Sequence, residues 1–335
     1  MKRFLKRVTG AIAGGLAFLL AVGAVWEQVE RHRVAAAYPA PGRMVDIGGR
    51  RMQIECRGTG RPTVVLETGL DYFGSLSWTK VAGPVAAFTR TCAYSRAGIV
   101  WSDDKPGAHD GLGAARDLHA TLAAAGEKPP LVLVGLSLGG PYSTIYTGLY
   151  GDEVAGLVFV DASHPDQLRR IAAAFGKPPD DGKSLFQAAG EYVAWTGAPR
   201  LATIPARDGH GETLANMPRE ARTIGLAYFP TSLGPMVAER NAMPATLRQA
   251  GAYRNLGERP VIVLSRGKAP ADMPRAQAQV WERIWPDLQR DMASWSSRGT
   301  QRTIAGSGHY IPNDAPQAVI DAIREVVDEV RAQGR

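Results

Sequence analysis

Short runs of aliphatic and β-branched residues recur along the chain: TVVLE (63–67), LVLVG (131–135), LVFVD (157–161) and VIVLS (261–265). None of them alternates apolar with polar positions, so each reads as a strand covered on both faces, as in a parallel sheet. Weaker runs at 44–47, 51–56, 89–94 and 300–304 predict further strands. Alanine-rich stretches at 113–126 and 141–150 read as helices between them. In the closing segment, 315–331, Val319, Ile320, Ile323, Val326, Val327 and Val330 fall on one helical stripe, with Asp314 and Pro316 as start signals. Strand and helix in alternation predict an α/β class domain, a doubly wound, mostly parallel sheet. Residues 165–256 break the rhythm. They are rich in Pro and Gly and hold no strong strand, which predicts a mostly helical insertion between two core strands. The plan is therefore an N-terminal segment (1–33), a Pro/Gly-containing linker (38–43), a core made of 44–164 and 257–335, and the insertion 165–256.

The N-terminal segment follows a different rule. From Val8 to Trp26 there is no charged side chain. As a helix this run is about 28 Å long, close to the hydrocarbon thickness of a bilayer. It has no polar face, unlike a helix packed on a soluble core. MKRFLKR precedes it, and a flank of mixed sign (Glu27 to Arg33) follows. Because Lys and Arg favour the cytoplasmic side, the N-terminus is expected inside and the rest exported. Two readings stand: a retained single-pass anchor, which the length of the run favours, or a signal peptide cleaved after Ala24, leaving a secreted chain. Export would place Cys56 and Cys92 in an oxidising compartment, where they either form a disulfide or stay as buried thiols. Two cysteines offer no metal-ligand spacing.

Charge changes this picture little. Of the formal +7, residues 1–33 carry +4, and the remainder is scattered without a basic cluster interleaved with aromatics. A nucleic-acid partner is not expected. With 45 % apolar and 21 % charged residues, the bulk of the chain has the composition of a folded domain.

The candidate chemistry begins where LVLVG runs into Leu136-Ser137-Leu138-Gly139-Gly140 and a helix follows from Pro141. Gly-x-Ser-x-Gly between a strand and a helix holds a serine on a tight, strained turn, with its hydroxyl above the sheet edge. Gly135 and Gly139 relieve crowding on either side. The Leu138 N–H enters the same space and suits an oxyanion. No Gly-Lys-Ser/Thr follows, as a phosphate loop would require.

With these residues in hand, the chain resembles the α/β-hydrolase superfamily, its lid-bearing, serine esterase-like branch. The likeness covers roughly residues 44–335. It rests on ETGLDYFGSLSW (67–78), YSRAGIVWSD (94–103), VGLSLGG (134–140), LVFVDASHPDQ (157–167) and GSGHYI (306–311). The resemblance implies a Ser–His–acid triad and no cofactor or metal. Of six histidines, His309 lies in Gly-Ser-Gly-His-Tyr, after a strand and before the last helix, where this fold carries its base. His32, His109, His119, His164 and His210 do not. The acid has two candidates. The common place is the loop after strand 261–265, but Gly267 is followed three residues later by Pro270, and the nearest carboxylate is Asp272. The other place is the end of the preceding strand, where Asp161 stands, and it is the favoured one. A second oxyanion donor is implied at Leu70, next to Gly69.

Two departures from the family pattern stand out. Tyr-Ser-Arg at 94–96 replaces Tyr-Asp-Arg, which removes a structural carboxylate at Ser95. Gly98-Ile99-Val100 replaces a Gly-aromatic-Gly stretch, which leaves the shape of that loop and the role of Trp101 open. The insertion is expected to fold over the serine as a lid, with Phe175, Phe186, Tyr192, Trp195, Tyr228 and Phe229 as candidates for apolar pocket walls. Together these readings predict a membrane-tethered serine hydrolase acting on a small-molecule ester, thioester or lactone. A peptidase, an acyltransferase or a cofactor-free perhydrolase on the same triad stays open, as does an inactive binding protein of the same fold.

Overall fold

The structure is a computed structural model, and it describes residues 2–176, 193–203, 216–270 and 273–334. Eight strands form one sheet: β1 (Arg43–Asp46), β2 (Arg51–Arg57), β3 (Thr63–Glu67), β4 (Thr91–Tyr94), β5 (Leu131–Leu136), β6 (Val154–Val160), β7 (Val261–Arg266) and β8 (Gly299–Ile304), in the order β1-β2-β4-β3-β5-β6-β7-β8. β1 pairs with β2 and β2 with β4 antiparallel; all other pairs are parallel. The helices are α1 (Lys2–Ala37), α2 (Ala82–Ala86), α3 (Gly111–Ala125), α4 (Gly139–Leu149), α5 (Gln167–Ala174), α6 (Ala198–Ala202), α7 (Arg219–Ala250), α8 (Arg275–Ala293), α9 (Ile311–Asp314) and α10 (Pro316–Ala332).

Side chains of one strand point alternately to the two faces, so β5 feeds two cores. Leu131 and Leu133 join Leu118 and Leu122 of α3, Ile145 and Tyr146 of α4, and Met292 of α8. Val132, Val134 and Leu136 join Val85 of α2 and the predicted stripe of α10, from Val319 to Val330. The sheet is thus wound on both faces, as its continuous apolar strands require. Cys56 and Cys92 stand opposite each other in the β2–β4 ladder and are bonded.

One start signal is used differently from the expectation. Asp314 ends α9, and α10 begins after Ala315 without a side-chain cap. The Asp314 carboxylate instead accepts the Gly308 N–H at 2.9 Å and the Ser307 hydroxyl at 3.2 Å, bracing the loop that carries His309.

Helix α1 continues through the charge-free run and beyond the mixed-sign flank to Ala37. Its second half docks on the segment between β6 and β7. Glu27, 1 % exposed, accepts from Arg200 Nε at 2.8 Å and Nη2 at 2.9 Å, and from Arg31 at 3.0 Å. The Tyr38 carbonyl accepts from Trp101 Nε1 at 2.9 Å and from the Tyr228 hydroxyl at 3.0 Å.

Candidate active site

Ser137 follows β5 directly and has φ 53°, in the left-handed region. A residue other than glycine is strained there, and such strain persists only where surrounding structure enforces it. Here the enforcement is visible. The Ser137 N–H donates to Val160 O at 3.1 Å, and its carbonyl accepts from Gly140 N at 3.1 Å and Ser163 N at 2.8 Å. A Cβ at position 135 would meet the Gly139 carbonyl oxygen at 2.5 Å, and one at 139 would meet Glu67 O at 2.5 Å. Both glycines of the motif are therefore required by close backbone approach. Leu138 is the N-cap of α4, so the positive end of that helix faces the serine turn.

Asp161 follows β6, the neighbouring strand, and is also left-handed, at φ 43°. It is fully buried. Its Oδ2 lies 2.5 Å from His309 Nδ1, and its Oδ1 accepts from Trp285 Nε1 at 2.6 Å and from Arg266 N at 3.0 Å. Arg266 Nε is 2.9 Å from Oδ2 but off the line of a hydrogen bond, so this contact is one of charge. Burial alone would raise the Asp161 carboxyl. The His309 hydrogen bond and the Arg266 charge outweigh it and hold the group below its ordinary value. An ionised Asp161 accepts a proton-bearing Nδ1 from His309, which leaves Nε2 of that ring available for a second partner. His309 stands in the loop after β8 with about a quarter of its side chain exposed.

The loop after β3 brings Gly69 against the serine. A Cβ on Gly69 would lie 2.8 Å from Ser137 Cβ and 3.4 Å from its Oγ. The Gly69 carbonyl accepts from Arg96 Nη2 at 2.6 Å. Across a planar trans peptide the next N–H points opposite to that carbonyl, so the Leu70 amide is turned away from Arg96. Asp71 stitches the rest of the loop, accepting from Thr68 Oγ1, Phe73 N, Gly74 N and Ser77 Oγ.

Arg96 is the hub of this side of the site. It is 4 % exposed and donates to Glu67, to the Thr68 carbonyl and to both carboxylate oxygens of Glu239, at 2.7–2.8 Å. Burial acts against its charge, but Glu239 and Glu67 prevail and hold it protonated well above the usual range. Burial likewise raises Glu67, whose other carboxylate oxygen accepts from the Tyr94 hydroxyl. Glu239 comes from α7, so the insertion reaches into the loop beside the serine. Leu70 and Leu138 pack with Leu168 of α5, Met243 and Leu247 of α7, and Tyr142.

Several expectations fall elsewhere. Asp272 lies outside the described residues, as do Phe186, Tyr192 and His210. Of the other aromatic candidates, Tyr228 packs with Ile99, Val100 and Trp101, Phe229 meets Tyr72, and Trp195 is half exposed. Aliphatic side chains and Met243 take the place beside Leu70 and Leu138. Val100 keeps a left-handed turn (φ 52°) where a glycine was expected, its N–H held by Ser232 Oγ at 2.9 Å. Ser95 fills the missing carboxylate's place with hydroxyl bonds to Gln53 and Ser75. His164 is buried between Asp291 (2.6 Å) and the Asp166 N–H (3.0 Å), His119 stacks on Tyr150, His109 faces Asp104, and His32 bonds the Gln28 carbonyl. Sequence reasoning missed Arg266, Trp285, Arg96, Glu67 and Glu239. Only the Arg of Tyr-Ser-Arg had a local signal, and it named no partner.

Comparison with known proteins agrees with this architecture. The chain is 28 % identical over 232 residues to an uncharacterized protein of Schizosaccharomyces pombe, a match over 68 % of this chain and 38 % of that protein's length. A thermophilic esterase from Thermogutta terrifontis superposes with a TM-score of 0.61 at 20 % identity, covering 86 % of this chain and 97 % of the esterase. The epoxide hydrolase CorEH superposes with a TM-score of 0.60 at 18 % identity, covering 86 % and 98 %. Such distant likenesses carry the fold, not the reaction. The family model of the alpha/beta hydrolases matches residues 59–322, a span that takes in the serine turn, the buried aspartate and the loop of His309, and the chain belongs to the alpha/beta hydrolase family.

Proposed function

We propose that the protein is a serine hydrolase that cleaves a carboxylic ester, thioester or lactone through an acyl-enzyme. The observation that carries this is the pairing of buried Asp161 with His309 at the same sheet edge as Ser137, which is held in a left-handed strand-to-helix turn. In this reading Ser137 Oγ attacks the substrate carbonyl while His309 Nε2 takes its proton. The Leu70 and Leu138 amides receive the oxyanion. Collapse breaks the bond to the alcohol or thiol, which leaves with the proton from His309. A water then repeats the sequence, restoring Ser137 and releasing the acid. Asp161 orients His309 and stabilises its charged form. Epoxide and haloalkane hydrolysis in this fold normally use an aspartate nucleophile, and position 137 is serine. The segment between β6 and β7 acts as the lid; its Met243 and Leu247, packed with Leu70 and Leu138, support an apolar acyl site.

We further read α1 as a retained single-pass anchor with the hydrolase domain outside the cytoplasm. The basic residues before the apolar run and the Cys56–Cys92 disulfide support this topology.

The test is labelling of the full chain, in detergent, with a fluorophosphonate probe, beside Ser137→Ala and His309→Ala. Labelling of the wild type, lost in both variants, is the expected result. A folded wild type that takes no probe would turn the assignment towards a binding protein of this fold. Trapping of the acyl group by an added alcohol, peptide or peroxide then separates hydrolase from acyltransferase, peptidase and perhydrolase.

A further inference from the structure

Among the described residues, large apolar side chains that face solvent are confined to two places. One is α1, from Phe4 to Val29. The other is a short piece of the insertion, where Val193, Trp195 and Leu201 are 40 %, 49 % and 56 % exposed. A soluble surface rarely gathers such residues without a partner.

The two places touch. A Cβ on Gly23 would lie 2.3 Å from the Thr196 carbonyl oxygen, and one on Gly197 would meet the Trp26 ring at 2.8 Å. Gly23 lies three residues before the end of the charge-free run, roughly 4.5 Å along the helix axis from Trp26. Tryptophan at the end of an apolar span sits at the headgroup level. Whatever is pinned against Gly23 and Trp26 is therefore held at the depth where hydrocarbon gives way to headgroups. The pinning is firm, because Arg200, next to Leu201, is tied to Glu27 of α1 by two hydrogen bonds and to the Ala227 carbonyl by a third, at 3.1 Å. Arg219 and Arg222 line, with Trp26, Glu30, Val34 and Tyr38, a cleft of about 480 Å³ beside α1.

We propose that Val193, Trp195 and Leu201 form a second membrane contact beside α1. The insertion then rests in the outer leaflet, its apolar side chains among the upper acyl chains, and the partner of this surface is the lipid bilayer. The proposal rests on reading α1 as a retained anchor.

The experiment uses the full chain in vesicles of phosphatidylcholine and phosphatidylglycerol. Single cysteines at Leu201, Phe18 and Asp152 carry an environment-sensitive nitrobenzoxadiazole probe, and lipids with a nitroxide on the acyl chain act as quencher. Phe18 reports the anchor, and Asp152, an exposed residue of the α4–β6 connection, reports the aqueous domain surface. The expected result is quenching at Leu201 and Phe18 alike, roughly threefold or more above that at Asp152, because an interfacial apolar face sinks about 5–10 Å into the headgroup and acyl boundary. Quenching at Phe18 with Leu201 no different from Asp152 would overturn the proposal while leaving the anchor in place. The mass of the chain recovered from the producing cell's membranes tests the anchor itself. A chain that begins at Val25 would overturn both.

Discussion

Among the described residues, Val100, Ser137 and Asp161 are the non-glycine residues that the fold holds at positive φ, and two of them belong to the candidate triad. Each such residue costs on the order of 1–3 kcal/mol, so the fold tolerates strain where the serine and its acid are aimed. The Asp161 carboxylate accepts from three donors, which fixes its orientation and, through Nδ1, that of His309. In Asp161→Asn the amide offers His309 a donor in place of an acceptor, and the ring loses its tautomer. Turnover is expected to fall by about 10³–10⁴-fold with little change in KM, as steady-state kinetics on any accepted ester would read. A second residue-scale prediction concerns His164. Its Nδ1 accepts the Asp166 N–H, so protonation would cost that bond as well as burial, and burial holds its pKa below the ordinary 6.5. The folded chain then binds fewer protons than the unfolded one as pH falls below about 6.5, and stability declines over that range. Asp161, also held low, adds a loss only below about 3.8. Urea unfolding between pH 5 and 7 should show the first decline, and His164→Gln should remove it. Ser137 and His309 were legible because a short motif and a place between elements name them. Asp161 was one of two candidates, since a strand-end aspartate has no local signature. Arg266 and Trp285 were not legible at all: Arg266 meets Asp161 where β7 pairs with β6, and Trp285 where α8 packs on the sheet, across 105 and 124 positions of sequence.

The strands were the most readable elements, above all the central β3, β5, β6 and β7, where burial on both faces leaves little room for polar residues. Each forms within three residues of its expected bounds. Helix α8 went unread, since its buried Trp285, Leu288, Gln289, Met292 and Ala293 are diluted among many Arg and Gln. Helix α7 is harder still. Pro230, Pro235 and Pro244 lie inside it, and proline ordinarily ends a helix. What holds it in place is tertiary contact, and its chief polar one is Glu239 on Arg96. The consequence is testable at this scale. Arg96→Met would leave Glu67 and Glu239 buried without a counter-charge, at a cost on the order of 3–5 kcal/mol, read as a lower midpoint in urea. Arg96→Met together with Glu67→Gln and Glu239→Gln should recover much of that stability while fluorophosphonate labelling stays slow, because the Gly69 carbonyl still lacks its anchor.

Taken whole, the molecule does not divide where composition suggests. The segment expected to be a tether ends inside the folded body, with Glu27 buried against Arg200 and the Tyr38 carbonyl accepting from Trp101 and Tyr228. A chain beginning at Val25 keeps these contacts, and one beginning at Tyr38 leaves Arg200 buried without Glu27. The shorter chain is expected to melt lower, by several degrees, in a thermal scan in detergent, and equal melting would mean that the docked half of α1 adds nothing. The unbroken helix also sets the bearing of the domain. A flexible tether would let a catalytic head swing and sample a wide arc. Here every residue added to α1 before Gly23 would turn the body, docked from Gly23 onward, by about 100° and lift it by about 1.5 Å. With α1 held in a membrane as proposed, its length is a matter of heading as much as of reach, and a head so mounted presents one fixed side to whatever lies beneath it.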